Sequence, residues 1–123
     1  MSNDRNTATR PPQGRLVTSA VLDYFEGWFG EDVERMDRAL HPELVKRRAG
    51  ETLGITTKER MLELTAEGEG EQDGEDRTLD IRIEDVADDI ASVTVRSAVY
   101  HEYLQLVRTR DGWKIANALW RLA

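Results

Sequence analysis

The sequence predicts an α+β fold, a curved antiparallel or mixed sheet covered on one face by three N-terminal helices, and two patterns carry that prediction. Apolar residues recur at helical spacing in the first half of the chain, whereas from Thr78 to Leu122 they alternate every second residue. The joints within that second region are too short for parallel crossovers, which take a dozen or more residues, so sequential strands there must be antiparallel neighbours. Helices that come first and strands that follow are segregated, the arrangement in which helices roof one side of a sheet.

Met1 to Gly14 carries Asn, Thr, Arg, two prolines and a glycine without apolar periodicity, and reads as a disordered tail of residues 1–14 ahead of a single domain, 15–123. The first helix is predicted from Leu16 to Phe29, with Leu16, Val17, Ala20, Val21, Tyr24, Phe25 and Trp28 on one face and Ser19, Asp23 and Glu26 opposite. Gly27 weakens that helix and implies a close backbone contact, and Gly30 stops it. A second helix begins at Asp32, a good N-cap, presents Val33, Met36 and Leu40, and ends at His41-Pro42 because the residue before a proline is pushed out of helical geometry. Leu44–Ala49 reads as a short strand and Gly50–Gly54 as a turn. Thr56 and Glu59 form a capping box for a third helix bearing Met61, Leu62 and Leu64. Ala66–Arg77 is acidic and glycine-rich, a flexible loop rather than a calcium site, since ligands at the spacing of a calcium-binding loop are missing.

Four strands are then predicted: Thr78–Asp85, Ile90–Tyr100, Tyr103–Arg108 and Trp113–Leu122. Leu79, Ile81, Ile83, Val93 and Val95 fall on the inner face. The last strand is largely apolar on both faces, with Trp113, Ile115, Asn117 and Leu119 in one set and Lys114, Ala116, Ala118, Trp120 and Leu122 in the other. Helices cover one side, and a second copy of the chain is expected to cover the other, a homodimer closed around Ala116, Ala118 and Trp120.

Composition bounds the function. A chain of 123 residues is large enough to bury a core without staples, and the lack of cysteine removes disulfides, thiolate nucleophiles and cysteine-held metals. A net charge of −7 argues against nucleic acid or anionic membrane as partner, and Lys46-Arg47-Arg48 reads as a solvated strand face. With no apolar stretch long enough to span a bilayer and no hydrophobic signal core, a cytoplasmic location is expected. No cofactor is expected, and two histidines without a ligand spacing make no metal site.

Tyr24-Phe25-Glu26-Gly27-Trp28, the run His41 to Arg47, Tyr103-Leu104-Gln105-Leu106 and the run Trp113 to Asn117 resemble the nuclear transport factor 2-like superfamily, in the branch labelled "putative lumazine-binding". The resemblance spans Leu16 to Leu122 and implies a cone-shaped, cystatin-like fold and a homodimer through the outer sheet face. Its cone would be lined by Tyr24, Trp28, His41, Tyr100, His101, Tyr103 and Asn117, with Tyr24, Trp28, His41, Tyr103 and Asn117 taking a small planar or hydrophobic ligand. Acid–base enzymes of the superfamily use a buried carboxylate or an Asp–His pair, and the inner positions named above include no carboxylate. Three readings follow: a ligand-binding dimer; an isomerase, dehydratase or cyclase in which His41 or His101 is the base and Tyr24 or Tyr103 donates to an oxyanion; or a dimer whose cone is filled by its own side chains. Bland roles compete at each position. Tyr24 and Trp28 lie one turn apart as core residues do, His41 suits a helix cap, and Asn117 needs hydrogen-bond partners that the backbone can supply.

Overall fold

The computed structural model describes residues 11–73 and 75–123; the first ten residues of the predicted tail lie outside them. Helix α1 runs Pro11–Phe29 and α2 Val33–Ala39; strands β1 (Leu40–Arg48) and β2 (Gly54–Thr56) precede α3 (Lys58–Ala66) and a 3-10 turn at Glu69–Asp73; β3 (Leu79–Ala87), β4 (Ile90–Ser97), β5 (Tyr100–Thr109) and β6 (Gly112–Leu122) complete the chain. The six strands form one sheet in the order β2-β1-β6-β5-β4-β3. Among the described residues only the β1–β6 pair is parallel. The predicted α+β fold, with three helices on one face of a mixed curved sheet, is the one observed.

Most of the helical face predicted for α1 is buried: Val17, Ala20, Val21, Tyr24 and Phe25, joined by Phe29, meet Val93, Val95, Leu104, Leu106 and Ile115 of the sheet, while Leu16 is exposed and Trp28 half-buried. The helix starts five residues ahead of Leu16. Proline is favoured in a first turn, where an amide hydrogen has no helical partner. Gln13 anchors that turn, its Oε1 accepting from Trp113 Nε1 at 2.8 Å. Gly27 makes the expected close contact, since a Cβ there would lie 3.0 Å from the Met36 nitrogen and 3.1 Å from the Asp32 carbonyl oxygen. On the outward side Asp23 ties the two helices, accepting from Arg35 Nε at 2.9 Å and Arg38 Nε at 3.0 Å. Asp32 caps α2 through the Arg35 amide.

Several boundaries differ from the sequence reading for local reasons. β1 begins at Leu40 and carries His41-Pro42 as an irregular stretch before regular pairing resumes at Val45. Thr57, not Thr56, caps α3, accepting from the Arg60 amide at 3.2 Å, while Thr56 ends the short strand β2 within the segment read as a turn. The acidic segment after α3 holds the 3-10 turn, where buried Gly70 packs against the Trp28 backbone. The β4–β5 turn falls at Ala98-Val99 rather than at Tyr100–Glu102, because Ser97 Oγ accepts from the amides of Val99 (3.2 Å) and Tyr100 (2.9 Å) and folds the chain there.

One irregularity changes the site. Across the β5–β6 pair Leu106 faces Ile115 but Gln105 faces Asn117, so Ala116 is an extra residue, a β-bulge. Before it Trp113 and Ile115 point inward; after it Ala118 and Trp120 do, while Asn117 and Leu119 point outward. Ala118 and Trp120 thus belong to the inner face and not to the expected pairing face, and Asn117 leaves the cone. Ala116 itself borders the outer surface beside Asn117 and Gln105. No helix among the described residues is long and apolar enough to cross a membrane.

Candidate functional site

Beneath the helices, the inner face of β1, β5 and β6 holds a partly enclosed cavity of about 70 Å³. α1 contributes Tyr24, Phe25 and Trp28, α3 Met61 and Leu64, β2 Thr56, and the sheet Lys46, Tyr100, Glu102 and Trp120. Lys46 and Glu102 reach it by strand alternation: Lys46 follows buried Leu44 by two residues, and Glu102 precedes buried Leu104 and Leu106 on the same face.

Both side chains are nearly sealed from solvent, Glu102 at 2 % exposure and Lys46 at 8 %. Tyr24 joins them. Lys46 Nζ donates to the Tyr24 hydroxyl at 2.5 Å, and that hydroxyl donates to Glu102 Oε1 at 2.8 Å. A buried charge persists only when paired and hydrogen-bonded, and this chain supplies both conditions. Burial pushes the Glu102 carboxyl above its ordinary range, a rise partly offset by the Lys46 charge and the Tyr24 hydrogen bond. Burial, and then the adjoining carboxylate, push the Tyr24 phenol well above its usual value.

Aromatic rings enclose the ammonium. Its nitrogen lies 5.0 Å from the Tyr24 ring centre, 5.2 Å from Trp120 and 5.9 Å from Trp28, within the range of cation–π attraction. Trp28 Nε1 donates to the Tyr100 hydroxyl at 3.1 Å, and Tyr100 meets Trp120 edge-on at 5.5 Å, which fixes the wall. Arg48, one alternation beyond Lys46, places its guanidinium 5.1 Å from the Trp120 ring. The result is an apolar, aromatic chamber with one cation, one phenol and one carboxyl on its floor.

Of the residues expected in the cone, Tyr24, Trp28 and Tyr100 line the cavity, and His41, His101, Tyr103 and Asn117 do not. His41 Nδ1 accepts from the Glu43 amide at 3.0 Å, a local turn contact in β1. His101 and Tyr103 alternate with Glu102 and so occupy the outer face, their rings 5.1 Å apart. Asn117, carried outward by the bulge, donates to Gln105 Oε1 at 3.2 Å. A histidine base acting with Tyr24 therefore has no place in the cavity. The carboxylate thought missing from the inner face is Glu102. Lys46, assigned to a solvated face, is the cavity's cation. Alternation back from Leu104 and forward from Leu44 was the signal for both.

The family model described as "putative lumazine-binding" matches residues 12–121. The chain belongs to that family. Solved structures show where this family member sits among folds. A nuclear transport factor 2-like protein of unknown function from Silicibacter pomeroyi DSS-3 superposes with a TM-score of 0.73 at 14% identity, covering 92% of this chain and 98% of its own. A ketosteroid isomerase-like protein from Erwinia carotovora atroseptica SCRI1043 gives 0.61 at 16% identity, covering 88% and 94%. A cystatin-like fold protein from Burkholderia xenovorans LB400 gives 0.57 at 20% identity, covering 89% and 93%. At identities this low the superpositions show a shared fold alone, the nuclear transport factor 2-like one. No curated protein matches.

Proposed function

We propose that this member of the putative lumazine-binding family binds a small planar molecule in the cone, its polar edge on the Lys46–Tyr24–Glu102 floor and its faces against Trp28 and Trp120. The observation that carries the reading is the buried floor itself, a hydrogen-bonded cation, phenol and carboxyl inside aromatic walls, the usual make-up of a small-molecule site. Such a floor offers both donors and an acceptor to a ring edge bearing C=O and N–H groups, as lumazine does. Size limits the fit. A cavity of about 70 Å³ holds about five waters, so the polar edge of a ring enters and the rest of the ligand stays at the mouth or displaces Trp120. Thermal-shift titration with uracil-, lumazine- and flavin-type heterocycles tests this, a ligand at a hundred times its Kd stabilising by about 2.7 kcal/mol. Absence of stabilisation and of Trp28 or Trp120 fluorescence change with all three classes refutes it.

The protein acts as a homodimer through the outer sheet face in this proposal. A cross-strand row of Ile55, Arg47, Leu119 and Tyr103 spans β2, β1, β6 and β5, with Tyr103 54% and Leu119 43% exposed. A trough of about 700 Å³ lies across this face. His101 Nε2, also on this face, is buried without a hydrogen-bond partner among the described residues, a deficiency a facing protomer can make good. The pairing row replaces the Ala118 and Trp120 contacts expected from uninterrupted alternation.

A further inference from the structure

We propose that Lys46 is a carbonyl-reactive amine that condenses with small aldehydes or ketones entering the cavity, Tyr24 and Glu102 acting as its proton relay; this rests on the reading of the cavity as a ligand site. Only three lysines, Lys46, Lys58 and Lys114, occur among the 17 basic residues, the others being arginines. Lys58 and Lys114 lie away from the cavity and donate to the carbonyls of Leu40 (3.0 Å) and Arg38 (2.7 Å). A guanidinium cannot lose its proton in a protein, whereas a lysine in apolar surroundings can, and the neutral amine is the nucleophile.

The geometry supplies the means of deprotonation. One concerted shift along the chain of hydrogen bonds moves a proton from Lys46 Nζ to the Tyr24 oxygen and the Tyr24 proton to Glu102 Oε1. An ion pair becomes an amine, a phenol and a carboxylic acid, all neutral, a state that the low dielectric of the aromatic chamber brings within reach of the resting ion pair. Burial, which raises the carboxyl's affinity for a proton, works in the same direction. The amine nitrogen then forms a bond to the carbonyl carbon, giving a carbinolamine; Glu102 returns its proton through Tyr24 to the departing hydroxyl, the C–O bond breaks and water leaves. The products are a Lys46 iminium, the Glu102 carboxylate and one water, with no oxidant or reductant consumed. A cavity of about 70 Å³ admits a carbonyl compound of about four or five heavy atoms.

The test treats the full chain with propanal and cyanoborohydride and maps the reduced adduct by mass spectrometry, while propan-1-ol, which fills the same space without an electrophile, reports cavity entry by thermal shift. Alkylation at Lys46 about tenfold or more faster than at Lys58, Lys114 and the N-terminal amine is expected. Tyr24→Phe and Glu102→Gln should each remove most of that preference, while propan-1-ol still stabilises them. Stabilisation by propan-1-ol without preferential alkylation of Lys46 overturns the amine and leaves the cavity reading standing. Neither alkylation of Lys46 nor stabilisation overturns both. Equal preference in Glu102→Gln and wild type overturns the relay.

Discussion

Lys46→Met tests whether the cavity floor is an ion pair that the fold must keep balanced. The substitution keeps the length and apolar stem of the side chain and deletes its charge, leaving Glu102, only 2 % exposed, without the cation that lowers its pKa. Breaking a buried pair from one side destabilises by about 3–5 kcal/mol. Glu102 has one escape, to take up a proton, and the penalty of doing so limits the loss. From an ordinary value of 4.5, protonation at pH 7.5 costs about 4 kcal/mol, at about 1.36 kcal/mol per pH unit. At pH 5 the same step costs less than about 1 kcal/mol. The sign follows from linkage: a carboxyl whose folded pKa is raised favours the folded state below its unfolded pKa and loses that contribution as pH rises through the folded value. Lys46→Met should therefore be about 3–4 kcal/mol less stable than wild type near pH 7.5, with most of the deficit gone by pH 5. Urea denaturation followed by tryptophan fluorescence at a series of pH values measures it. Lys46→Met/Glu102→Gln, which removes both charges, should flatten the profile. A pH-independent deficit in the single variant, or one below about 0.5 kcal/mol at pH 7.5, refutes the buried-pair account.

Other residues make separate claims. Gly70→Ala would set a Cβ 2.1 Å from the Trp28 carbonyl oxygen, a backbone atom that cannot swing aside, so a stability loss of about 2 kcal/mol or more and altered Trp28 emission are expected in chemical denaturation. At Asp23, burial raises the carboxyl but hydrogen bonds and charges from Arg38 and Arg35 outweigh it and hold the pKa below 3.8. A depressed pKa stabilises above the unfolded value, so Asp23→Asn should lower the melting temperature at neutral pH and converge with wild type as pH falls through the folded pKa of Asp23. Leu119→Glu/Tyr103→Glu places like charges at the centre of the proposed pairing face; sedimentation velocity should show monomers where the wild type shows dimers, with unchanged circular dichroism.

Local chemistry made most of the architecture readable. The α1 stripe, the Asp32 cap and the Gly27 contact follow from helical spacing and backbone sterics, and each depends on neighbours in sequence. Tyr24 and Trp28 were legible for the same reason, one helical turn apart on the buried face. Two-residue alternation, by contrast, has no tolerance for an inserted residue. Ala116 reverses every inference drawn beyond it, exchanging Asn117 for Trp120 in the cone, and nothing in its identity announces a bulge. The Ser97 turn had a comparable effect on Glu102, which looked like part of a connection and is in fact the third residue of β5. Lys46 was obscured by its setting between Val45 and two arginines. A lone basic residue reads as solvated unless its counter-charge is known, and Glu102 lies far along the chain, so their partnership is a property of the sheet rather than of either segment.

The strand order has a kinetic corollary. β1, which bears Lys46, joins β5, which bears Glu102, only through β6, the last strand in the sequence, which lies between them. Until β6 slides between them, the ammonium and carboxylate have no common floor and keep their hydration shells. Interleaving the final strand and stripping those shells must then be one event, a non-local step of the kind that slows folding. Without β6 in place Lys46 and Glu102 share no floor, so a ligand that needs that floor has nothing to grip until the last strand is seated.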